Sequence, residues 1–180
     1  MQERIVIQMS RITEHFDSTE FQCPHCGKNE IQRDFVERLE KLHKALNAKS
    51  IIVSSGYRCP TPSVAVGGYV NDAHVKGFAA DIIAYKKKDG SPYDAFTVAK
   101  EAEKLGFGGI APIDNHYVHV DSRDCNEYAN HHWFGNEKTG ETYNTFQNIQ
   151  SEPVDTTGAT PEKNVIEITF NGKSVFRKEW

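Results

Sequence analysis

Tyr117-Val118-His119-Val120-Asp121 (YVHVD) alternates with the period of two that defines a β-strand, so His119 and Asp121 share one face while Val118 and Val120 share the other. Two valines on one face call for a core. An imidazole and a carboxylate on the opposite face call for a polar task. Two further runs, residues 79–84 (AADIIA) and residues 50–54 (SIIVS, leading into Ser55-Gly56), are short and β-branched, and read as strands buried on at least one face.

Helices stand between these strands. Across residues 31–46, Ile31, Phe35, Leu39, Leu42 and Leu46 recur every three or four positions among Glu, Arg and Lys, which predicts an amphipathic helix with one stripe on the core. The run Lys86-Lys87-Lys88, closed by Asp89-Gly90, reads as a solvated turn. A second helix follows it, with Ser91 as N-cap, Pro92 at the first helical position, Asp94 three residues after the cap and Gly106 as the terminating glycine. Residues 1–136 form the expected main domain. Residues 137–163 are polar with no apolar period and predict a linker, and residues 164–180 hold two alternating runs around Asn171-Gly172, a strong hairpin signal. A lone hairpin is marginal in water, so it is expected to pack on the main domain or on another chain.

Composition narrows the function. The 180 residues carry 21 Lys+Arg against 25 Asp+Glu, a net charge of −4, which supplies no cationic field for a nucleic-acid backbone. No apolar run approaches the ~20 residues of a membrane-spanning helix. The N-terminus MQERIVIQMSR has neither an apolar core segment nor a small-residue cleavage site, so the expectation is cytoplasmic synthesis without a signal peptide.

Three side chains with zinc-ligand chemistry lie in or beside the predicted strands: His74, seven residues before Asp81, and His119 on YVHVD. Two imidazoles and one carboxylate match the three protein ligands of a catalytic zinc site, which keeps one position open. Glycines and small residues surround them, in Gly67-Gly68 and in Gly77-Phe78-Ala79-Ala80-Asp81, and small residues let backbone approach closely beneath a site.

The ordered blocks Ser55-Gly56-Tyr57-Arg58-Cys59-Pro60, Val66-Gly67-Gly68, His74-Val75-Lys76-Gly77-Phe78-Ala79-Ala80-Asp81-Ile82, Gly108-Gly109-Ile110 and His119-Val120-Asp121-Ser122-Arg123, led by HFDSTEFQCPHCG at residues 15–27, resemble the zinc D-Ala-D-Ala peptidases of the hedgehog/D-Ala-D-Ala peptidase fold. That family includes peptidoglycan carboxypeptidases, dipeptidases and phage endolysins. The resemblance spans about residues 12–134. It implies an α+β fold, a central mostly antiparallel sheet with helices packed on one side, and a zinc metallopeptidase of the D,D-carboxypeptidase or L-alanyl-D-glutamate endopeptidase type acting on peptidoglycan stem peptides. Such an enzyme would reach the cell wall after release, as a phage or prophage endolysin, or from a virion. By the same resemblance His74, Asp81 and His119 are the zinc ligands and Arg58 faces the substrate. Asp121 is suited to orient a ligand histidine, or to cap a turn with Arg123. The alternative is a non-catalytic binding module of the same fold.

The pattern departs from the family in three places. Many members carry Glu or Asp three residues before the last ligand histidine as general base, where this chain has His116, with Asp114 two residues earlier. The imidazole of His116 is competent for proton transfer near neutral pH and is the expected base, with Asp114 the alternative. Ser63 stands where many relatives have Asn, and Asp72 where many have Ser. Finally, Cys23-Pro24-His25-Cys26 is half of a structural zinc site at best, to be completed by Cys59 and Cys125 or by His131 and His132; a disulfide and reduced thiols are the other readings.

Overall fold

The computed structural model describes residues 11–65, 70, 72–123 and 132–149, and the backbone of residues 165–170 and 173–179. After a 3-10 turn at Ser18–Phe21, helix α1 (Arg33–Ala45) leads into strand β1 (Ala48–Ser55), short helix α2 (Pro60–Ala65), strand β2 (Ala79–Lys86), helix α3 (Ala95–Lys104), and strands β3 (Gly109–Pro112), β4 (Tyr117–Asp121) and β5 (Trp133–Phe134). The sheet order is β1-β2-β4-β3-β5, antiparallel except for the pairing of β3 with β5. The fold is the expected α+β arrangement.

The period-two reading carries straight into the packing. Ala80, Ile82 and Ala84 of β2, Ile110 of β3 and Val118 and Val120 of β4 are buried in one core with Phe35, Val36, Leu39 and Leu42 of α1 and Val98, Ala99 and Ala102 of α3. The helices thus cover the face opposite His119 and Asp81. Helix α1 yields to β1 through Leu46 and Asn47, whose φ of 46° is the left-handed turn that asparagine tolerates after a helix.

Two expectations are corrected. The α3 cap is Asp94, whose carboxylate accepts from Thr97 N at 2.9 Å. Ser91 instead gives its carbonyl to Lys86 N at 2.8 Å while Pro92 bridges to Tyr85, so this stretch edges the sheet. Gly106 ends the helix as expected, with φ +75°. Residues 137–149, expected to be linker, are part of the domain: Phe146 is fully buried against Phe134, Phe96 and Tyr143, and its amide and Thr145 hydroxyl donate to Glu103 of α3 at 2.9 and 2.6 Å. Strands β6 (Val165–Phe170) and β7 (Lys173–Glu179) pair antiparallel as a separate two-stranded sheet, as the hairpin signal predicts; Asn171 and Gly172 lie outside the described residues. Among the described residues no helix is long and apolar enough to cross a membrane.

Candidate metal centre and active site

Register alone brings two of the three expected ligands together: Asp81 lies directly opposite His119 across the β2–β4 pair, on the face away from the helices. His74 arrives from the loop before β2, which is braced at both ends. Asp72 accepts from Val75 N at 2.9 Å and from the buried Ser63 hydroxyl. The two departures from the family pattern at these positions are therefore one hydrogen-bonded pair that holds the loop. At the other end Gly77 has φ +74°, and a Cβ there would stand 2.0 Å from the Glu30 carbonyl oxygen, so only glycine fits.

The facing atoms form a triangle. His74 Nε2 is 3.2 Å from His119 Nδ1 and 3.3 Å from Asp81 Oδ1, and His119 Nδ1 is 3.0 Å from Asp81 Oδ1. Each imidazole is oriented from behind: His74 Nδ1 donates to the Gly56 carbonyl at 2.8 Å and His119 Nε2 donates to Asp121 Oδ2 at 3.0 Å. With the outer nitrogens donating, both inward nitrogens can present lone pairs to a cation, so the triangle would offer a metal three donor atoms. Its sides are close to the ~3.4 Å edge of a tetrahedron built on zinc bonds of about 2.0–2.1 Å. The residues fit a zinc ion held by three protein atoms, each imidazole backed by an oxygen acceptor.

Electrostatics favour the same conclusion. Burial raises the Asp81 carboxyl, but His74 and His119 outweigh it and hold the group well below the usual carboxylate range. Burial lowers His119, but hydrogen bonds to Asp121 and Asp81 outweigh it and lift the imidazole to about 9. Asp121, fully buried, is also depressed: burial opposes, and His119 with Arg123 prevails. The cluster attracts positive charge, which a metal ion supplies.

Asp121 accepts from Arg123 N at 3.0 Å and from Arg123 Nε at 2.8 Å as well as from His119, so orienting the histidine and capping the turn are a single arrangement. Its carboxylate occupies the space a side chain on Gly109 would need: a Cβ there would lie 2.2 Å from Asp121 Oδ2. Arg58, in the loop after β1, bonds through its amide to the His74 carbonyl at 3.3 Å, and its Nε is buried with no hydrogen-bond partner among the described residues. An unspent guanidinium donor beside the triangle is available to a ligand.

The two expected bases are not joined to this cluster. Asp114 accepts from the amides of His116 and Tyr117, both at 2.7 Å, and shapes the β3–β4 turn. His116 Nδ1 is 3.0 Å from the Tyr93 carbonyl, just before α3. His116 lies in the bend that precedes β4, and there its ring is engaged by the Tyr93 carbonyl. Glu137, which the linker reading overlooked, is the acidic group the structure brings to the centre. Its amide donates to the Pro112 carbonyl at the end of β3 at 2.8 Å, and His119, Asp81, Arg58 and His74 all act electrostatically on its carboxyl. Glu137 is exposed at the rim of the site, where partial desolvation by its neighbours nudges that carboxyl above its ordinary value. No local periodicity marks Glu137; the signal is its place just after the Trp133-Phe134 strand.

Cys23, Cys26 and Cys59 also come together. His132 does not join them: its ring stacks on Phe134 with centroids 3.8 Å apart. Cys125 and His131 lie outside the described residues.

A family model described as peptidase M15 matches residues 2–121, two thirds of the chain. No curated protein matches it.

Proposed function

The chain belongs to the M15 peptidase family and is a metallopeptidase, and from that premise we propose that it hydrolyses peptide bonds in peptidoglycan stem peptides with a zinc ion held by His74, Asp81 and His119. The observation that carries this reading is the triangle of two lone pairs and a carboxylate oxygen with sides of 3.0–3.3 Å and an outer acceptor behind each imidazole. Zinc at such a site supplies Lewis-acid chemistry and makes water acidic near neutral pH.

The chain's own residues divide the remaining work. Asp121 and the Gly56 carbonyl fix the two imidazoles in the tautomers that present lone pairs. Arg58 offers its guanidinium to a substrate carboxylate or to the oxygen of the scissile carbonyl as negative charge develops there. Glu137, at the exposed rim and within electrostatic reach of both imidazoles, Asp81 and Arg58, accepts the proton of the attacking water and returns it to the leaving amine. The family's cell-wall enzymes support peptidoglycan as substrate, and an endolysin role, reached after release or from a virion, is the form of the proposal that follows from them.

The test is digestion of purified peptidoglycan, with the products read by mass spectrometry and zinc content measured in parallel. New stem-peptide termini that disappear with chelator and return with zinc are expected. Bound zinc with no new terminus would favour the binding-module reading.

A further inference from the structure

A second cluster of metal-ligand atoms lies apart from the catalytic triangle. Residues 23–26 (CPHC) form a tight turn closed by Gly27 N to Cys23 O and Cys23 N to Lys28 O, both at 2.8 Å, with Gly27 at φ +71°. Backbone amides of His25, Cys26 and Cys59 donate to the Cys23 sulfur. Cys59, in the loop after β1, brings its Sγ to 3.8 Å from Cys23 Sγ, and His25 Nδ1 lies 3.2 Å from Cys59 Sγ. The sulfurs of Cys23, Cys26 and Cys59 all fall within 4.8 Å of one another.

These distances carry an argument. Zinc–sulfur bonds of about 2.3 Å in a tetrahedron set sulfur–sulfur edges of ~3.8 Å, and a mixed sulfur–nitrogen edge is ~3.6 Å. A disulfide would need its sulfurs at about 2.05 Å. A turn whose amides aim at its first sulfur is already arranged to receive a thiolate, and a thiolate is the form a metal binds.

We propose that Cys23, Cys26 and Cys59 bind a structural zinc ion that fastens the N-terminal turn to the loop bearing Arg58, with the His25 ring, already at Cys59 Sγ, turning in as the fourth ligand. Each thiol gives up its proton on ligation. Thiols packed this closely resist ionising together without a cation. The site has no open position, so its role is to hold rather than to react. It joins a seam where Tyr57 N already bonds Phe21 O at 2.9 Å and where a Cβ on Gly56 would meet Phe21 Cα at 2.6 Å.

The experiment is metal stoichiometry on the reduced full chain together with cobalt(II) substitution. Two zinc ions per chain are expected, and the cobalt form should show an ultraviolet thiolate-to-metal charge-transfer band that no His/Asp centre produces. His74→Ala should leave the band and one zinc. Cys26→Ser, at an exposed position, should abolish the band while the His74 site still binds its metal. His25→Ala should weaken zinc at this site by at least the ~10-fold that loss of even an outer-sphere partner costs. A chain purified without reductant that lacks two titratable thiols and the band, or a reduced chain that binds cobalt without the band, overturns the proposal; unchanged affinity in His25→Ala overturns the four-ligand set. Because the band reports sulfur ligands alone, failure here is distinct from failure of the catalytic centre.

Discussion

Replacing Gly109 by alanine tests how the histidine ligand is held without touching any ligand. The new Cβ would sit 2.2 Å from Asp121 Oδ2 and 2.5 Å from its Cγ. Ordinary contact is roughly 3.5 Å, so the carboxylate or strand β3 must retreat by roughly 1 Å. The His119 Nε2 to Asp121 Oδ2 hydrogen bond, now 3.0 Å, would open to about 4 Å, beyond any useful bond. Two losses follow. Overpacking a fully formed site costs about 1–3 kcal/mol, and at about 2–4 °C per kcal/mol for a chain of this size the thermal midpoint should fall by roughly 2–12 °C. Loss of the orienting acceptor should weaken zinc by about 10–100-fold. The assays are thermal denaturation of the metal-free protein and competition for zinc against a chelator of known affinity, with Asp121→Asn as the partner variant that removes the charge without adding bulk. If Gly109→Ala keeps parental zinc affinity while Asp121→Asn loses it, the carboxylate has not been displaced and the reasoning fails.

Three further outcomes are expected. Arg58→Lys should keep its zinc and lose about a hundredfold in turnover of peptidoglycan, since an ammonium cannot reproduce the planar two-pronged donor; near-parental turnover would make Arg58 structural. Glu137→Gln should lose roughly two to four orders of magnitude in kcat with metal content unchanged, while His116→Ala stays within a few-fold, and the reverse pattern would return the base to His116. Glu40 is nearly buried, and although burial raises it, His15, Thr13 and Lys44 outweigh that and hold it at about 2 against an ordinary 4.5. The folded state therefore gives up this proton more readily than the unfolded chain, so the stabilisation is complete above about pH 4.5 and lost as pH falls toward 2; Glu40→Gln should remove on the order of 1–2 kcal/mol of that acid dependence in denaturation midpoints, His15 and Lys44 being partly screened by solvent.

What could be read from the chain was what local period encodes. The alternation in YVHVD and in AADIIA fixed which side chains face the helices, and Asp81 opposite His119 follows once the two strands pair. The α3 start shows where local signals compete. Ser91-Pro92-Tyr93-Asp94 contains two capping residues, and the sheet-edge bonds of Ser91 and Pro92 leave Asp94 as the one free to accept from Thr97. Phe146 was missed because a single aromatic in a polar stretch has no period; its burial depends on three rings and a Glu103 carboxylate contributed by distant elements.

The proposed base illustrates a related point. Counting three residues back from His119 transfers a position along the chain, but what the chemistry needs is a position in space, and here that residue lies in the bend before β4 with its ring on the Tyr93 carbonyl. His116 meets the Tyr93 carbonyl, whereas Glu137, 18 residues beyond His119 in the sequence, returns beside β3 through a backbone bond to Pro112 and shares the electrostatics of the site. The same distinction applies to the CPHC turn. Sequence spacing could not say which distant cysteine completes it, and the loop that follows β1 answers by bringing Cys59, one residue from Arg58, against Cys23. A metal there would couple the stability of the N-terminal turn to the placement of Arg58, whose Nε is buried without a hydrogen-bond partner among the described residues.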